Sequence, residues 1–300
     1  MTAAIPTFPE FSPIDCGHKE ELRSAFRQHP PDISEFSTGF LYGYSDNFKH
    51  EVTRLNGNIC IAGNLHYQHS FFPPIGGNRI AETIETCLAY LKSKYGKGRI
   101  NAVPKTLAAQ YLSDPRFKVS DDRDNYDYVY LVQDLAQLHG SLYQSKRNFV
   151  RQFEKKYLYE YKALTPDIIE QCKHLQEKWC SLRECKLDVS LSYETNFVYK
   201  LLNNFGTCEL FGAALLIDGK VQAFTIAEHL NHETAALHVE KANTEYRGIY
   251  QAINNLFCLY GLKDYVFVNR EQDVGDAGLR KAKLSYHPHH LVEKYNIEYV

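Results

Sequence analysis

The spacing of apolar residues in the N-terminal half predicts short strands followed by a long helix. Ile84, Leu88 and Leu91 recur at helical intervals, so residues 80–95 are predicted to form a helix with one buried face. Asn56-Gly57 is a dipeptide that tight hairpin turns favour, and apolar runs flank it on both sides. The predicted strands of this half are residues 40–44, 51–55, 59–62, 99–103 and 126–132. Its predicted helices are residues 20–28, 80–95 and 105–112.

The C-terminal half has the same order of predicted elements and is reached through a helical middle region. The middle helices are residues 142–157, 167–187 and 193–205. The strands and helices that follow are residues 209–217, 221–230, 234–241, 248–262, 265–269 and 278–284. The halves share no detectable sequence period. We therefore predict an α/β fold of two lobes, residues 1–140 and residues 141–300, the second including the helical connector.

Charge and cysteine content restrict the classes of partner and compartment. The formal net charge of -2 gives no overall attraction to nucleic acid or acidic membranes, so any binding of phosphate needs a local cluster of cations. The eight cysteines are scattered without a CxxC pair, which predicts reduced thiols in a cytoplasmic protein. No apolar run approaches the ~20 residues that cross a bilayer. The sequence therefore predicts a cytoplasmic chain that reaches a membrane only at its surface.

Several catalytic motifs are absent from the sequence. It has no GxxxxGK[ST], GxGxxG, GxSxG or HExxH pattern, so kinase, P-loop, dinucleotide and zinc-protease functions are disfavoured. Two histidine groups, His66/His69 and His287/His289/His290, lack the cysteine or carboxylate partners that zinc sites use. We therefore expect these histidines to be surface or loop residues and predict no metal site.

A basic helix is predicted in the middle of the chain. Arg147 and Arg151 lie one helical turn apart beside Asn148, opposite an apolar stripe that includes Phe149 and Phe153. Cations aligned along a helix suit a polyanion, so this face is a candidate for contacts with phosphate. A solvated amphipathic face is the other interpretation of the same pattern.

A second candidate phosphate site is the junction at Arg247-Gly248, where a predicted strand leads into a helix. Glycine-containing turns at helix N-termini bind pyrophosphate in acetyltransferase-type folds. Gln251-Ala252 stands where a second glycine would be expected, which weakens binding of coenzyme A. Gly248 as an ordinary helix-start glycine is the alternative.

The strongest candidate site is the charged segment 269–286, which follows an apolar strand. An apolar strand that opens abruptly into charge and glycine is typical of a site at the carboxyl end of a sheet. The residues of this segment with candidate roles are Asn269, Arg270, Glu271, Asp273, Arg280, Lys283 and Tyr286. A salt-bridged loop exposed to solvent is the alternative interpretation.

Two stretches resemble a known family. Asn269 to Asp273, Gly278 to Lys283, Tyr286-His287-Pro288 and Lys294-Tyr295, together with Lys146 to Asn148, are similar to the phosphatidylglycerol lysyltransferase C-terminal domain family. The resemblance implies two tandem GNAT-like acyltransferase lobes with mixed sheets flanked by helices. It implies transfer of an aminoacyl group from charged tRNA to a lipid headgroup. It also implies that Arg280 and Lys283 lie at the catalytic site.

These observations predict an acyl- or aminoacyl-transferase. Lys283 and Arg280 are expected to clamp a phosphate or stabilise an oxyanion, and Asp273 or Glu271 to accept the acceptor's proton. The binding set expected around them is Arg147, Asn148, Arg151, Arg247, Gly248, Asn269, Arg270 and Tyr286. Aminoacyl-tRNA and acyl-CoA are both candidate donors, and a lipid headgroup or another small molecule is the candidate acceptor. A catalytically silent GNAT-fold sensor and a CoA-dependent N-acetyltransferase are the alternatives.

Overall fold

The structure is a computed structural model that describes residues 4–65 and 68–300. The chain forms two compact units. Of the described residues, unit 1 contains 4–65, 68–127, 272–276 and 291–300, and unit 2 contains 128–271 and 277–290. Unit 1 is therefore built from three separate stretches of chain. The division at residue 140 into two lobes stays a prediction.

The described residues form strands that are interspersed with helices of different lengths. The strands are β1 (Ser12–Pro13), β2 (Glu51–Leu55), β3 (Asn58–Leu65), β4 (Gln68–Phe71), β5 (Arg99–Pro104), β6 (Phe117–Asp121), β7 (Asp127–Leu131), β8 (Tyr159–Ala163), β9 (Phe211–Ile217), β10 (Lys220–His229), β11 (Thr234–Ala242), β12 (Phe267–Asn269), β13 (His290–Val292) and β14 (Lys294–Tyr299). The α-helices are α1 (Lys19–Gln28), α2 (Thr38–Gly43), α3 (Ser45–Phe48), α4 (Ile80–Tyr95), α5 (Lys105–Ala108), α6 (Val132–Gln137), α7 (Gln144–Lys156), α8 (Pro166–Arg183), α9 (Val189–Asn203), α10 (Ile249–Leu256) and α11 (Ala277–Leu284). A π-helical turn, Phe257–Gly261, continues α10.

The sheet of unit 1 has the strand order β1-β2-β3-β4-β5-β14-β6. Strands β4 and β5 are parallel and are connected by α4, while the other pairs described are antiparallel. Ile84, Leu88 and Leu91 of α4 are buried against this sheet, as their helical spacing predicts. The C-terminal strand β14 lies between β5 and β6, inside the sheet.

A buried charged cluster joins four parts of unit 1, and we call it the Lys294 cluster. The Lys294 ammonium donates to both oxygens of Glu35, at 2.7 and 2.6 Å, and to Oδ1 of Asp127 at 2.7 Å. Asp127 also accepts hydrogen bonds from the backbone N–H and the hydroxyl of Ser34, and Gln272 donates to Glu35 at 2.9 Å. Burial, reinforced by Asp127, raises the pKa of Glu35 to about 7 against the pull of Lys294. A protonated Glu35 leaves the cluster electrically neutral.

The sheet of unit 2 has the strand order β13-β7-β12-β11-β10-β9-β8. Strands β11 and β12 are parallel and are connected by α10. They pair only from Thr234 with Phe267 to Ala236 with Asn269, although β11 continues to Ala242. The two strands therefore diverge after Asn269, and side chains fill the opening between them.

A β-bulge lies in β11 at the level of this opening. Ile226 of β10 is paired with Val239, and Ala227 with Leu237, so His238 is the extra residue of the bulge. A bulge changes the direction in which a side chain points. It accounts for the position of the His238 side chain between two carboxylates.

The predicted α/β class with two mixed sheets flanked by helices is confirmed. One prediction, a strand at residues 40–44, is wrong because these residues belong mostly to α2. The Ser37 hydroxyl accepts the Phe40 N–H and begins the helix, and Phe40 and Leu41 are both buried. A short apolar run does not distinguish a strand from a buried helix, and here the capping residue decides it.

Candidate functional site

The opening between β11 and β12 contains a buried ion pair. Arg270 is the first residue after β12, and its Nη2 lies 3.2 Å from Oε1 of Glu240 on β11. Burial alone would lower the pKa of Arg270, but the Glu240 carboxylate outweighs it and the pKa is raised. Among the described residues, Nη1 of the same guanidinium has no hydrogen-bond partner. Arg270 is therefore a fixed cation with unused donor capacity.

Aromatic rings and a second cation surround Arg270. Its guanidinium carbon lies 5.0 Å from the centre of the Tyr286 ring and 5.6 Å from that of Tyr130. Lys146 of α7 lies 4.1 Å from the centre of the Tyr286 ring and donates to the Ser285 hydroxyl at 2.6 Å. Burial lowers the pKa of Lys146, and the nearby charge of Arg270 lowers it further. We call Lys146, Glu240, Arg270, Lys283 and Tyr286 the Arg270 cluster.

Lys283 fixes the backbone at the centre of this cluster. Its ammonium donates to the Arg270 carbonyl oxygen at 2.6 Å and lies 5.6 Å from the centre of the Tyr128 ring. The Tyr130 hydroxyl in turn donates to the Lys283 carbonyl oxygen at 2.9 Å. Asn269 is fully buried and accepts the Glu271 N–H at 2.8 Å, which shapes the turn after β12. The structure thus brings together the predicted residues Asn269, Arg270, Lys283 and Tyr286.

Glu271 contacts the bulge residue His238. Nδ1 of His238 lies 2.5 Å from Glu271 and Nε2 lies 2.7 Å from the buried Glu228. Burial would lower the pKa of His238, but the two carboxylates raise it to about 10. His238 is therefore an imidazolium at neutral pH, and Glu271 is held as its counter-ion.

Two predicted catalytic residues have other surroundings. Asp273 belongs to unit 1, where it is fully buried, lies 3.4 Å from Arg123 and accepts the Gly275 N–H at 2.9 Å. Arg280 belongs to unit 2 and is half-buried on α11. Catalytic roles for Asp273 and Arg280 stay predictions.

The predicted residues of the basic helix α7 differ in their surroundings: one contacts the preceding loop and two are exposed to solvent. The Arg147 guanidinium donates to the carbonyl oxygens of Leu138 and Gly140, so it stabilises the loop between α6 and α7. Asn148 and Arg151 are exposed. Among the arginines predicted on this helix, Arg151 keeps the larger exposure to a ligand in solution.

The strand–helix junction at Gly248 is in contact with α7. Gly248 has φ 89°, and a Cβ placed on it would lie 2.6 Å from the Phe149 carbonyl oxygen. Arg247 is exposed, with its guanidinium carbon 5.5 Å from the centre of the Phe149 ring. Binding of phosphate by Arg247 and Gly248 stays a prediction.

The histidine groups have aromatic neighbours. His69 stacks on Tyr95 with ring centres 3.7 Å apart, and the Nδ1 atoms of His289 and His290 lie 2.9 Å from each other. His66 lies outside the described residues.

Over residues 4–65 and 68–300, no helix has the length and apolar character needed to span a membrane.

Comparison with known proteins decides the family. The family model for phosphatidylglycerol lysyltransferase, C-terminal, matches residues 26–298. The chain belongs to the phosphatidylglycerol lysyltransferase C-terminal family. This membership confirms the resemblance seen in the charged segment 269–286. It also assigns the chain to a fold of the aminoacyl- and acyl-transferase type.

Solved structures with this fold include members and more distant proteins. A conserved protein of unknown function from Bacteroides thetaiotaomicron is 30% identical, with a TM-score of 0.90 over 97% of this chain and 99% of that chain. L-PGS from Bacillus licheniformis is 13% identical, with a TM-score of 0.66 over 99% of this chain and 94% of that chain. FemX is 9% identical, with a TM-score of 0.60 over 97% of each chain. The predicted tandem GNAT-like fold is confirmed.

A curated relative is known only as an uncharacterised protein. It comes from Mycoplasmoides gallisepticum and is 24% identical over 181 residues, which cover 58% of this chain. The chain spans 56% of that protein's length.

Sequence reasoning missed several residues around Arg270. Glu240, Lys146, Thr225 and Asn254 were not among the predicted site residues, although each is buried or half-buried near the opening. The available signal for Glu240 was a carboxylate within a strand whose residues are mostly buried. The other three become significant only through contacts that the fold creates.

Proposed function

We propose that this chain is an aminoacyl- or acyl-transferase whose reacting groups meet at the Arg270 cluster of unit 2. The main support for the proposal is the position of Arg270 and the unused hydrogen-bond donor on its guanidinium. Its guanidinium lies in the opening between two parallel strands, 13% of its side chain is exposed, and Nη1 has no partner among the described residues. Membership of a transferase family supports this assignment.

The proposed reaction is attack of an acceptor hydroxyl or amine on the donor's ester carbonyl. A bond forms between the acceptor atom and the carbonyl carbon, and negative charge develops on the carbonyl oxygen. Arg270 is the cation that stabilises this oxyanion, because it acts in a partly desolvated site. Lys146 adds a second positive charge only after its amine has accepted the acceptor's proton. The ester bond then breaks, and the leaving oxygen takes up a proton.

Proton transfer is assigned to Lys146. Its amine is half-buried, and its lowered pKa raises the fraction that is neutral and able to accept the acceptor's proton. The resulting ammonium then gives a proton to the leaving oxygen. Glu271 is a weaker candidate because it is already paired with the His238 imidazolium. Asp273 is proposed to stabilise its own loop through Arg123 and the Gly275 N–H.

Lys283 is proposed as a positioning residue for Arg270, through its hydrogen bond to the Arg270 carbonyl. Arg280, half-buried on the same helix α11, remains the proposed phosphate contact. The finer proposal is that the donor is aminoacyl-tRNA and that Asn148, Arg151 and Arg247 contact its phosphates, since all three are exposed. The acceptor is proposed to be a lipid headgroup or another small molecule.

The first prediction concerns Arg270→Gln, which removes the cation and keeps most of the side-chain volume. We expect transfer from aminoacyl-tRNA to fall by about 10²–10³-fold, as when an oxyanion donor is removed. The measurement is transfer of radiolabelled aminoacyl groups from tRNA to phosphatidylglycerol vesicles, run beside acetyl-CoA as the other donor. The control is Arg116→Gln, an exposed arginine of unit 1.

Full activity in a folded Arg270→Gln protein would overturn the assignment of Arg270. Transfer from acetyl-CoA alone would favour an N-acetyltransferase. Binding of charged tRNA without transfer to any acceptor would favour the sensor. Circular dichroism of both variants separates a loss of activity from a loss of structure.

A further inference from the structure

Three buried polar atoms without hydrogen-bond partners surround Glu240. They are Oγ1 of Thr225, Oδ1 of Asn254 and Nη1 of Arg270, and none of them has a hydrogen-bond partner within residues 4–65 and 68–300. Thr225 and Asn254 are 0% and 1% exposed. Buried polar groups in folded proteins are nearly always hydrogen-bonded, so three unpaired atoms around one carboxylate need an explanation.

The three residues come from different elements, and two of them are hydrogen-bonded to Glu240. Thr225 of β10 is directly opposite Glu240 of β11, and such cross-strand neighbours share one face of the sheet. Asn254 of α10 donates its Nδ2 to Oε2 of Glu240 at 3.1 Å, and Arg270 donates to Oε1 at 3.2 Å. We call these four residues the Glu240 site.

The Glu240 site has one exposed edge. The side chains of Glu240 and Arg270 are 11% and 13% exposed, whereas Thr225 and Asn254 are enclosed. The ion pair is therefore the part of the site that solvent reaches. The edge lies at the opening between β11 and β12, where the proposed reaction occurs.

We propose that the Glu240 site binds the α-ammonium group of an aminoacyl donor. An ammonium group has three N–H donors, and the Glu240 carboxylate, Thr225 Oγ1 and Asn254 Oδ1 supply three oxygen acceptors. The carbonyl oxygen next to the α-carbon accepts from Arg270 Nη1. Each unpaired atom gains a partner in this arrangement.

This inference rests on the proposed function and makes it more specific. It assigns Glu240, Thr225 and Asn254 as residues that select donors with a free α-amine. A site built to hydrogen-bond an ammonium group rejects a donor that lacks it, because its own buried polar atoms are then left unpaired. Acetyl and other simple acyl donors are disfavoured on this ground.

The test measures binding separately from transfer. Titration calorimetry compares a panel of amino acid amides with the matched amides in which hydrogen replaces the α-amine. We expect the best amide to bind and its des-amino partner to lose at least ~10-fold in affinity, the size of a hydrogen bond to a charged group.

Thr225→Val is the main variant because it removes the hydroxyl and preserves the shape of the side chain. We expect it to weaken binding of the amide by about 5–10-fold and to leave the des-amino compound unchanged. Glu240→Gln is the second variant and should weaken amide binding more strongly. The control is Thr244→Val, at an exposed position.

Equal affinity for both members of each pair, or no binding by any amide, would overturn the inference. The two proposals fail in different ways. Amides that bind in the expected order to a protein without transferase activity support the Glu240 site and contradict the proposed function. Transfer that proceeds equally well from aminoacyl-tRNA and des-amino acyl-tRNA supports the function and contradicts the Glu240 site.

Discussion

Three cations with little exposure, His238, Arg270 and Lys294, each lie beside at least one carboxylate. His238 lies between Glu228 and Glu271, and Lys294 between Glu35 and Asp127. A buried ion costs several kcal/mol without a partner, so each pair of carboxylates keeps its cation charged. Removing one partner from such a set is more damaging than removing a surface charge.

His238 makes the stability of the protein depend on pH. Its pKa is raised from the unfolded value of 6.5 to about 10, so folding takes up a proton between these values. The contribution is fully present below pH 6.5 and is lost as the pH rises through about 10. We expect the difference in unfolding free energy between wild type and His238→Gln to shrink over that range, by at most ~1.4 kcal/mol per pH unit.

Urea unfolding at a series of pH values measures this difference. His232→Gln is the control, because its side chain is 78% exposed. A difference that stays constant, or that increases with pH, would show that His238 is neutral in the folded protein.

The sequence indicated which residues of the charged segment were candidates for the site, but it did not indicate which residues they would contact. Arg270 was a candidate because charge follows an apolar strand, whereas Lys283 and Tyr286 belong to the stretches that resemble the family. Asn254 is twelve or more residues from Glu240 and Arg270, and an amide in a helix gives no sign of which carboxylate it will meet. Contacts between distant residues depend on register and on packing, which spacing alone does not fix.

At the scale of elements, helices with a periodic apolar face were predicted well and closely packed turns were not. The prediction of α4 followed from three apolar residues at helical spacing, and all three are buried. The prediction of a strand in place of α2 failed because the apolar run was short. The junction of α7 and α10 depends on Gly248, whose contact with Phe149 comes from a distant part of the chain.

Gly248→Ala tests how closely these two helices approach. The added Cβ would lie 2.6 Å from the Phe149 carbonyl oxygen, and the backbone has a positive φ of 89°. We expect a loss of at least ~2 kcal/mol in unfolding free energy, since both the contact and the backbone conformation resist alanine. The measurement is chemical denaturation followed by circular dichroism.

Gly206→Ala is the matched control for this substitution. A Cβ at Gly206 meets nothing within 4 Å, and its φ is not in the left-handed region. Equal effects of the two substitutions would mean that the close approach at Gly248 is unimportant for stability.

At the scale of the whole molecule, unit 1 depends on residues from the end of the described chain. Strand β14 lies between β5 and β6, and Lys294 at its start supplies a cation that contacts both Glu35 and Asp127. The sequence predicted two α/β lobes from the repeated order of elements. It gave no sign that the last strand pairs with strands nearly two hundred residues earlier in the chain, because pairing partners are not encoded locally.

Deleting residues 291–300 should therefore unfold unit 1 selectively. The deletion separates β5 from β6 and leaves two buried carboxylates without their ammonium. Hydrogen exchange followed by mass spectrometry should show loss of protection in β5 and β6 and retained protection in β9, β10 and β11. Deleting Val300 alone, which is 80% exposed, is the control. Retained protection in β5 and β6 would show that unit 1 folds without β14.

The position of β14 also has a consequence for biosynthesis. A ribosome makes the chain from the N-terminus, so strands β5 and β6 emerge long before the strand that lies between them. The nascent N-terminal segment must wait with an unfilled place in its sheet and with Glu35 and Asp127 lacking Lys294. All of unit 2, by contrast, has been synthesised by His290. During translation the sheet of unit 1 therefore stays incomplete until its strand β14 has been made.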